Sequence, residues 1–204
     1  MPFDPQSFRS ALQFDGARPN LFECTLSFPP IVTSGTRAGG ADSLDVNRQF
    51  SFFCRAAQIP GQSVNPFPVY YQGREIKLAG NRIFQDWTVQ IINDEDFKVR
   101  NAFELWSNAI NGHRTNLRNS AFVNNNDYGR DAHIIQYGKL GDTLRSYKFI
   151  GLFPTEISPI ENDWGTNDVI QEYQVTFSYQ WWESTIGDAD GTGAAPPTRN
   201  VEII

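Results

Sequence analysis

Fourteen residues near one end of the chain, QEYQVTFSYQWWES (171–184), restrict the fold more than any other stretch. Tyr173, Val175, Phe177, Tyr179 and Trp181 occupy every second position. Glu172, Gln174, Thr176, Ser178 and Gln180 stand between them. A period of two over this length predicts a half-buried β-strand with one face in a core. The other face is polar, almost uncharged, and runs out at Trp182. Charged side chains usually guard β-sheets against sticking to one another, so weak guarding raises the question of what this face meets.

The same alternation recurs along the chain. Phe22, Cys24, Leu26 and Phe28 predict a strand ended by Pro29 and Pro30. Phe50, Phe52, Cys54 and Ala56 predict another, reached through a long loop, 31–47, rich in Gly, Ser, Thr and Asp. Prolines confine QIPGQSVNPFPVYYQ to a turn and a sheet edge, and REIKLAGNR reads as a short strand followed by a Gly-Asn turn. Trp87, Val89 and Ile91 mark a further strand, and AHIIQYG and TLRSYKFIGLFP two more.

Between these the period changes to 3.6. Val99, Ala102, Phe103, Trp106, Ala109 and Ile110 form one apolar stripe, predicting an amphipathic helix over about 95–110. Asn93 or Asp94 can cap it, Asp94, Glu95 and Asp96 suit the positive end of its dipole, and Gly112 can stop it. Phe8, Ala11 and Leu12 suggest a shorter helical patch. The fold class expected is mainly β: an antiparallel β-barrel or two packed sheets, with one α-helix closing an end through Phe103 and Trp106. The chain divides into an N-terminal segment (1–17), a β domain (18–183) and a Gly/Ala/Pro-rich tail (184–204).

Composition narrows the function by exclusion. The net charge is −6 and no basic stripe is visible, which disfavours stable binding to duplex DNA or anionic membrane. Cys24 and Cys54 make neither a disulfide framework nor a zinc site, and both read as small buried hydrophobes. No run of 18 apolar residues is present, and the N-terminus lacks the apolar core of a signal peptide, so synthesis in a cytoplasm is expected. DADGTG (188–193) has Arg199 where a calcium loop needs glutamate. GKLGDT (138–143) lacks the glycine spacing of a phosphate loop, and His113 and His133 have no evident partner. No catalytic, cofactor or metal site is expected. Two uses remain for the polar face: pairing with neighbours, or a lectin-like groove on a carbohydrate-binding β-sandwich in which Gln, Asn and Trp182 hold sugars.

Several segments, in order, carry a resemblance: ARPNLFECTLSFP, FFCRAAQIPG, YQGREIKLAGNRIFQDWTVQIINDEDFKVRNAFELWSNAI, FIGLFPTEISPIENDW and IQEYQVTFSYQWWE. Together, over roughly 17–183, they resemble the tail tube protein of contractile-tailed bacteriophages, related to tube proteins of type VI secretion and injection systems. The baseplate tube-initiator proteins share this fold. The resemblance implies a two-sheet barrel, six copies closing a ring around a continuous inner β-barrel, and rings stacked into a tube that conducts DNA into the host inside a contractile sheath. It implies a place in the virion, assembly in the host cytoplasm, and partners that include the sheath, the baseplate tube initiator, the tape measure protein and the tail terminator. Under it, Glu172, Gln174, Thr176, Ser178 and Gln180 become the candidate lumen or inter-subunit sheet face, with a net-negative bore that does not grip DNA in transit. Loop 31–47 looks longer than in many members and inherits no assignment from the resemblance; because long loops can reach across to a neighbour, it is the candidate inter-ring contact, with Asp42, Leu44 and Val46 near it.

Overall fold

In the computed structural model the described residues are 4–12, 16–34 and 43–186. In chain order the elements are α1 (Pro5–Ala11), β1 (Phe22–Leu26), α2 (Pro30–Ser34), α3 (Ser43–Phe53), β2 (Cys54–Ala57), β3 (Gln62–Tyr71), β4 (Arg74–Phe84), β5 (Trp87–Ile92), α4 (Lys98–Ile110), α5 (Asn125–Tyr128), β6 (Arg130–Tyr137), β7 (Thr143–Ile157), β8 (Glu172–Ser178) and β9 (Trp181–Ile186). All strand pairings are antiparallel, as the alternation predicts.

One long strand organises the molecule. The first half of β7 pairs with β6 and β9, and its second half pairs with β8. This splits a seven-stranded system, ordered β1-β6-β7-β8-β5-β2 with β9 on β7, into two sheets that share β7. The change occurs at Gly151, whose φ of +67° is one that side chains rarely adopt; a Cβ there would also meet Gln180 Cγ at 3.0 Å. Sheet A is β1-β6-β7-β9, and sheet B is β7-β8-β5-β2.

The core lies between the sheets and under α4. Trp87 of sheet B stacks on Phe149 of sheet A, with ring centroids 4.4 Å apart. The stripe of α4 is buried at Val99, Ala102, Phe103 and Trp106, and Phe103 packs edge-on against Phe50 and Phe177. Phe103 and Trp106 are both fully buried. Cys24 and Cys54 are free and buried.

Several readings need correction. The helix begins at Lys98, not in the acidic run, and Phe97 at its N-cap has a φ of 53° and makes no side-chain cap. The Asp94–Asp96 segment is a turn: Phe97 N–H donates to the Asp94 carbonyl, and Asp96 pairs with Lys98. Among the described residues, four further helical segments accompany α4. Both ends of the expected loop 31–47 are helical, and α3 absorbs what reads as a strand from Phe50. Val46, Phe50 and Phe53 fall at i, i+4 and i+7 and pack inward, while Phe52 is exposed, so the Phe50/Phe52 alternation is incidental. The opening segment is two strands. The alternation breaks at Gln180, so Trp181 turns outward and Trp182 turns inward. β9 also carries the strand system to Ile186, past the expected boundary at 183.

Candidate functional site

The outward face of sheet B is built by strand register. Gln90 lies opposite Gln174, Thr88 opposite Thr176, and Ile92 opposite Glu172. The second half of β7 adds Glu156 opposite Thr176. Since the buried partners Val89, Ile91, Val175 and Phe177 fill the other side, these side chains face away from the core. Thr88 and Thr176 hydroxyls are 3.3 Å apart, and Gln90 Nε2 donates to Glu172 at 2.6 Å. Arg55 on β2 pairs with the same Glu172. Arg55 on this face is thus tied to a carboxylate, and the other side chains on it are threonine, serine, glutamine, Glu156 and, at one end, Ile92.

The outward face of sheet A differs. One row across it runs Thr25, His133, Lys148, Glu183, and Lys148 also pairs with Asp131 at 3.0 Å. That is an ordinary charged surface of mixed sign. The contrast gives the two sides of the molecule different chemistry.

The second feature is the ribbon β3–β4, which among the described residues pairs with itself and with no other strand. It continues β2 and β5, so the chain runs from sheet B into a projecting arm of about 30 Å. Every residue of β3 is exposed. The arm turns at Gln72 and Gly73, both at positive φ, and β4 passes through Gly80-Asn81 without a turn, correcting the short strand and Gly-Asn turn expected there. Its base is clamped: Trp87 Nε1 donates to the Gln58 carbonyl at 2.9 Å and Tyr179 Oη to the Gln85 carbonyl at 2.6 Å. Burial pushes the Tyr179 phenol up to about 12, so it remains the donor.

Register sorts the arm into faces. Phe67 lies opposite Leu78 and Val69 opposite Ile76, making a row of apolar cross-strand pairs. All four are between 41% and 48% exposed. Pro68–Lys77 and Tyr70–Glu75 occupy the reverse side. An isolated two-stranded ribbon is marginal in water, and in the single chain this row is half exposed. Sequence reading missed it, although Phe67, Val69 and Tyr71 alternate, as do Ile76 and Leu78, around Gln-Gly.

The predicted site residues divide accordingly. Glu172, Gln174, Thr176 and Ser178 share one face of β8, whereas Gln180 stands at the switch between sheets, its N–H on the Ile150 carbonyl. Val46 is 1% exposed and belongs to the core, which removes it as a contact residue. Leu44 lies in α3, and Asp42 falls outside the described residues. Trp182 packs against Phe84 and Tyr147, so the polar face lacks the aromatic platform that a sugar groove needs. Among the described residues no group of three His, Cys, Asp or Glu side chains is placed to hold a metal ion, and no helix is long and apolar enough to cross a membrane.

The family model described as "Phage tail tube protein" matches residues 17–185. The chain belongs to the phage tail tube protein family. Tail tube protein gp19 of Enterobacteria phage T4 is 30% identical over 170 residues, covering 83% of this chain and 92% of the relative. The tail tube protein of Serratia phage KSP90 is 24% identical over 174 residues, covering 84% and 92%. The fold resembles a chain of the extended sheath–tube complex of an extracellular contractile injection system (TM-score 0.54, 13% identity, 90% and 99% covered). It also resembles one from the tube-terminating cap of the anti-feeding prophage (TM-score 0.57, 17% identity, 84% and 91% covered). This tail tube protein is therefore a structural component of the phage tail, and the two faces and the arm are read in that setting.

Proposed function

We propose that the protein is the repeating subunit of a hollow tube through which DNA passes. Six copies form a ring, the order of symmetry used for the related anti-feeding prophage baseplate. Among the described residues no further strand pairs with β2 on one side of sheet B or with the second half of β7 on the other. Joining β2 of one copy to β7 of the next extends sheet B around the ring by main-chain pairing between copies.

The observation that carries this reading is the ladder of small, uncharged polar side chains on sheet B, whose arginine is held by Glu172. Facing inward, it lines a wet bore. DNA is gripped chiefly by Lys and Arg through counterion release, so a wall of Thr, Ser, Gln and Glu lets it slide. Sheet A, with its mixed charges, faces the sheath. Stacked rings end on the baseplate tube initiator below and the tail terminator above, with the tape measure protein inside during assembly.

Negative-stain microscopy of concentrated protein tests the reading. It predicts stacked rings with a stain-filled centre; compact monomers at every concentration, and in co-expression with the initiator, contradict it.

A further inference from the structure

Cys24 and Cys54 stand at the two ends of the strand path. β1 is outermost on one side of the order β1-β6-β7-β8-β5-β2, and β2 is outermost on the other. The two sheets share β7 and face each other, and these end strands come into contact. Among the described residues no main-chain ladder joins them. Side chains close the seam instead. Cys24 points inward from β1 and is 1% exposed. Cys54 points inward from the first residue of β2, directly after α3, and is 8% exposed. Both belong to the same buried cluster.

The two thiols act on each other. Contact with Cys54, and then burial, push the Cys24 thiol up, so it stays protonated and slow to react. That suits a dithiol kept reduced during synthesis in a cytosol. A virion component is later carried outside the cell, where thiols meet oxidants.

We infer that Cys24 and Cys54 close to a disulfide across the seam when the released tail meets a small uncharged oxidant of the peroxide class. Cys54 is the less deeply buried of the two and reacts first. Its thiolate attacks one peroxide oxygen, the O–O bond breaks, and the departing hydroxide leaves as water with the thiol's proton. The product is a sulfenic acid. The Cys24 sulfur then attacks the Cys54 sulfur, the S–O bond breaks, and a second water carries off the Cys24 proton. Two thiols are oxidised by two electrons, and one peroxide is reduced to two waters. The new bond ties the end of sheet A to the end of sheet B and closes a loop that carries α2 and α3. Constraining the unfolded chain in this way stabilises the fold. The lock acts within one copy, so it does not depend on how copies assemble.

Mass spectrometry tests it on the full-length protein and on purified tails. Each is treated with a small excess of hydrogen peroxide, then denatured in an alkylating reagent. The expected result is that Cys24 and Cys54 escape alkylation, appear in one cross-linked peptide pair, and become alkylatable again after dithiothreitol. Oxidised protein is expected to melt roughly 5–10 °C above reduced protein, and Cys24→Ala or Cys54→Ala to abolish that difference. Two alkylated cysteines after peroxide, a sulfinic or sulfonic acid at either position, a disulfide between copies, or equal melting of oxidised and reduced wild type each overturns the lock.

Discussion

Trp106 donates its indole Nε1–H to the Tyr128 carbonyl oxygen at 3.0 Å, tying the middle of α4 to the end of α5. The ring itself is fully buried against Phe28. Trp106→Ala removes both the packing and the donor, and its expected cost is about 3–5 kcal/mol. Trp106→Phe keeps an aromatic ring and orphans the carbonyl, costing about 1–3 kcal/mol. Denaturant unfolding of the two variants measures both; a loss below about 1 kcal/mol for the alanine variant contradicts the role of α4 as the seal.

Gly80 is where the two strands of the arm approach too closely for a side chain. A Cβ at this position would sit 2.4 Å from the Asn65 carbonyl oxygen across the arm, at the irregularity where Val64–Arg82 pairing gives way to Pro66–Ala79. Backbone cannot yield as a flexible side chain can, so Gly80→Ala distorts the ribbon while leaving the core untouched. The expected outcome is a melting temperature within about 3 °C of wild type and a loss of stacked rings by microscopy. A large drop in melting temperature would mean that the arm stabilises the monomer.

The face of sheet B can be made to grip. Thr88→Lys and Thr176→Lys place cations beside each other's positions on β5 and β8. Assembled tubes of either variant are expected to retain short DNA at about 50 mM salt and release it by about 200 mM, with Thr176→Val as the neutral control. Fluorescence anisotropy reads the difference. Equal behaviour of all tubes places this face away from the bore.

His133 gives the fold a pH dependence. Burial, and then the Lys148 cation, hold its imidazole below the usual value of about 6.5, with Asp131 acting in the opposite sense. The unfolded chain therefore binds a proton that the folded chain refuses. Stability falls as pH drops through about 6.5 and levels off below the folded-state value. His133→Gln should flatten the melting profile between about pH 5 and 7; parallel profiles for the two proteins contradict this.

The sequence made some of this legible and hid the rest for physical reasons. α4 is readable because Val99, Ala102, Phe103 and Trp106 keep one period over a whole helix, and β8 because Tyr173, Val175 and Phe177 alternate without interruption. The switch at Gln180 is not readable, since β9 resumes an apolar pattern at once while pairing with a different part of β7. α3 is concealed by Phe50 and Phe52, which mimic a strand. The arm is concealed by its prolines, which suit a ribbon lacking further neighbours because a missing N–H at an open edge costs little. The polar face is therefore a property of alternation that a sequence displays; the arm's two strands alternate as well, but that they pair only with each other is a property of topology that the sequence does not display.

Cryo-microscopy of the assembled tail tests the central claim most directly. The account predicts main-chain hydrogen bonds from β2 of each copy to Phe153–Ile157 of its neighbour, with Thr88, Gln90 and Thr176 facing a water-filled channel. A map in which each copy's strands are closed within itself, with no main-chain bonding around the ring and the channel lined by lysine and arginine, would contradict it.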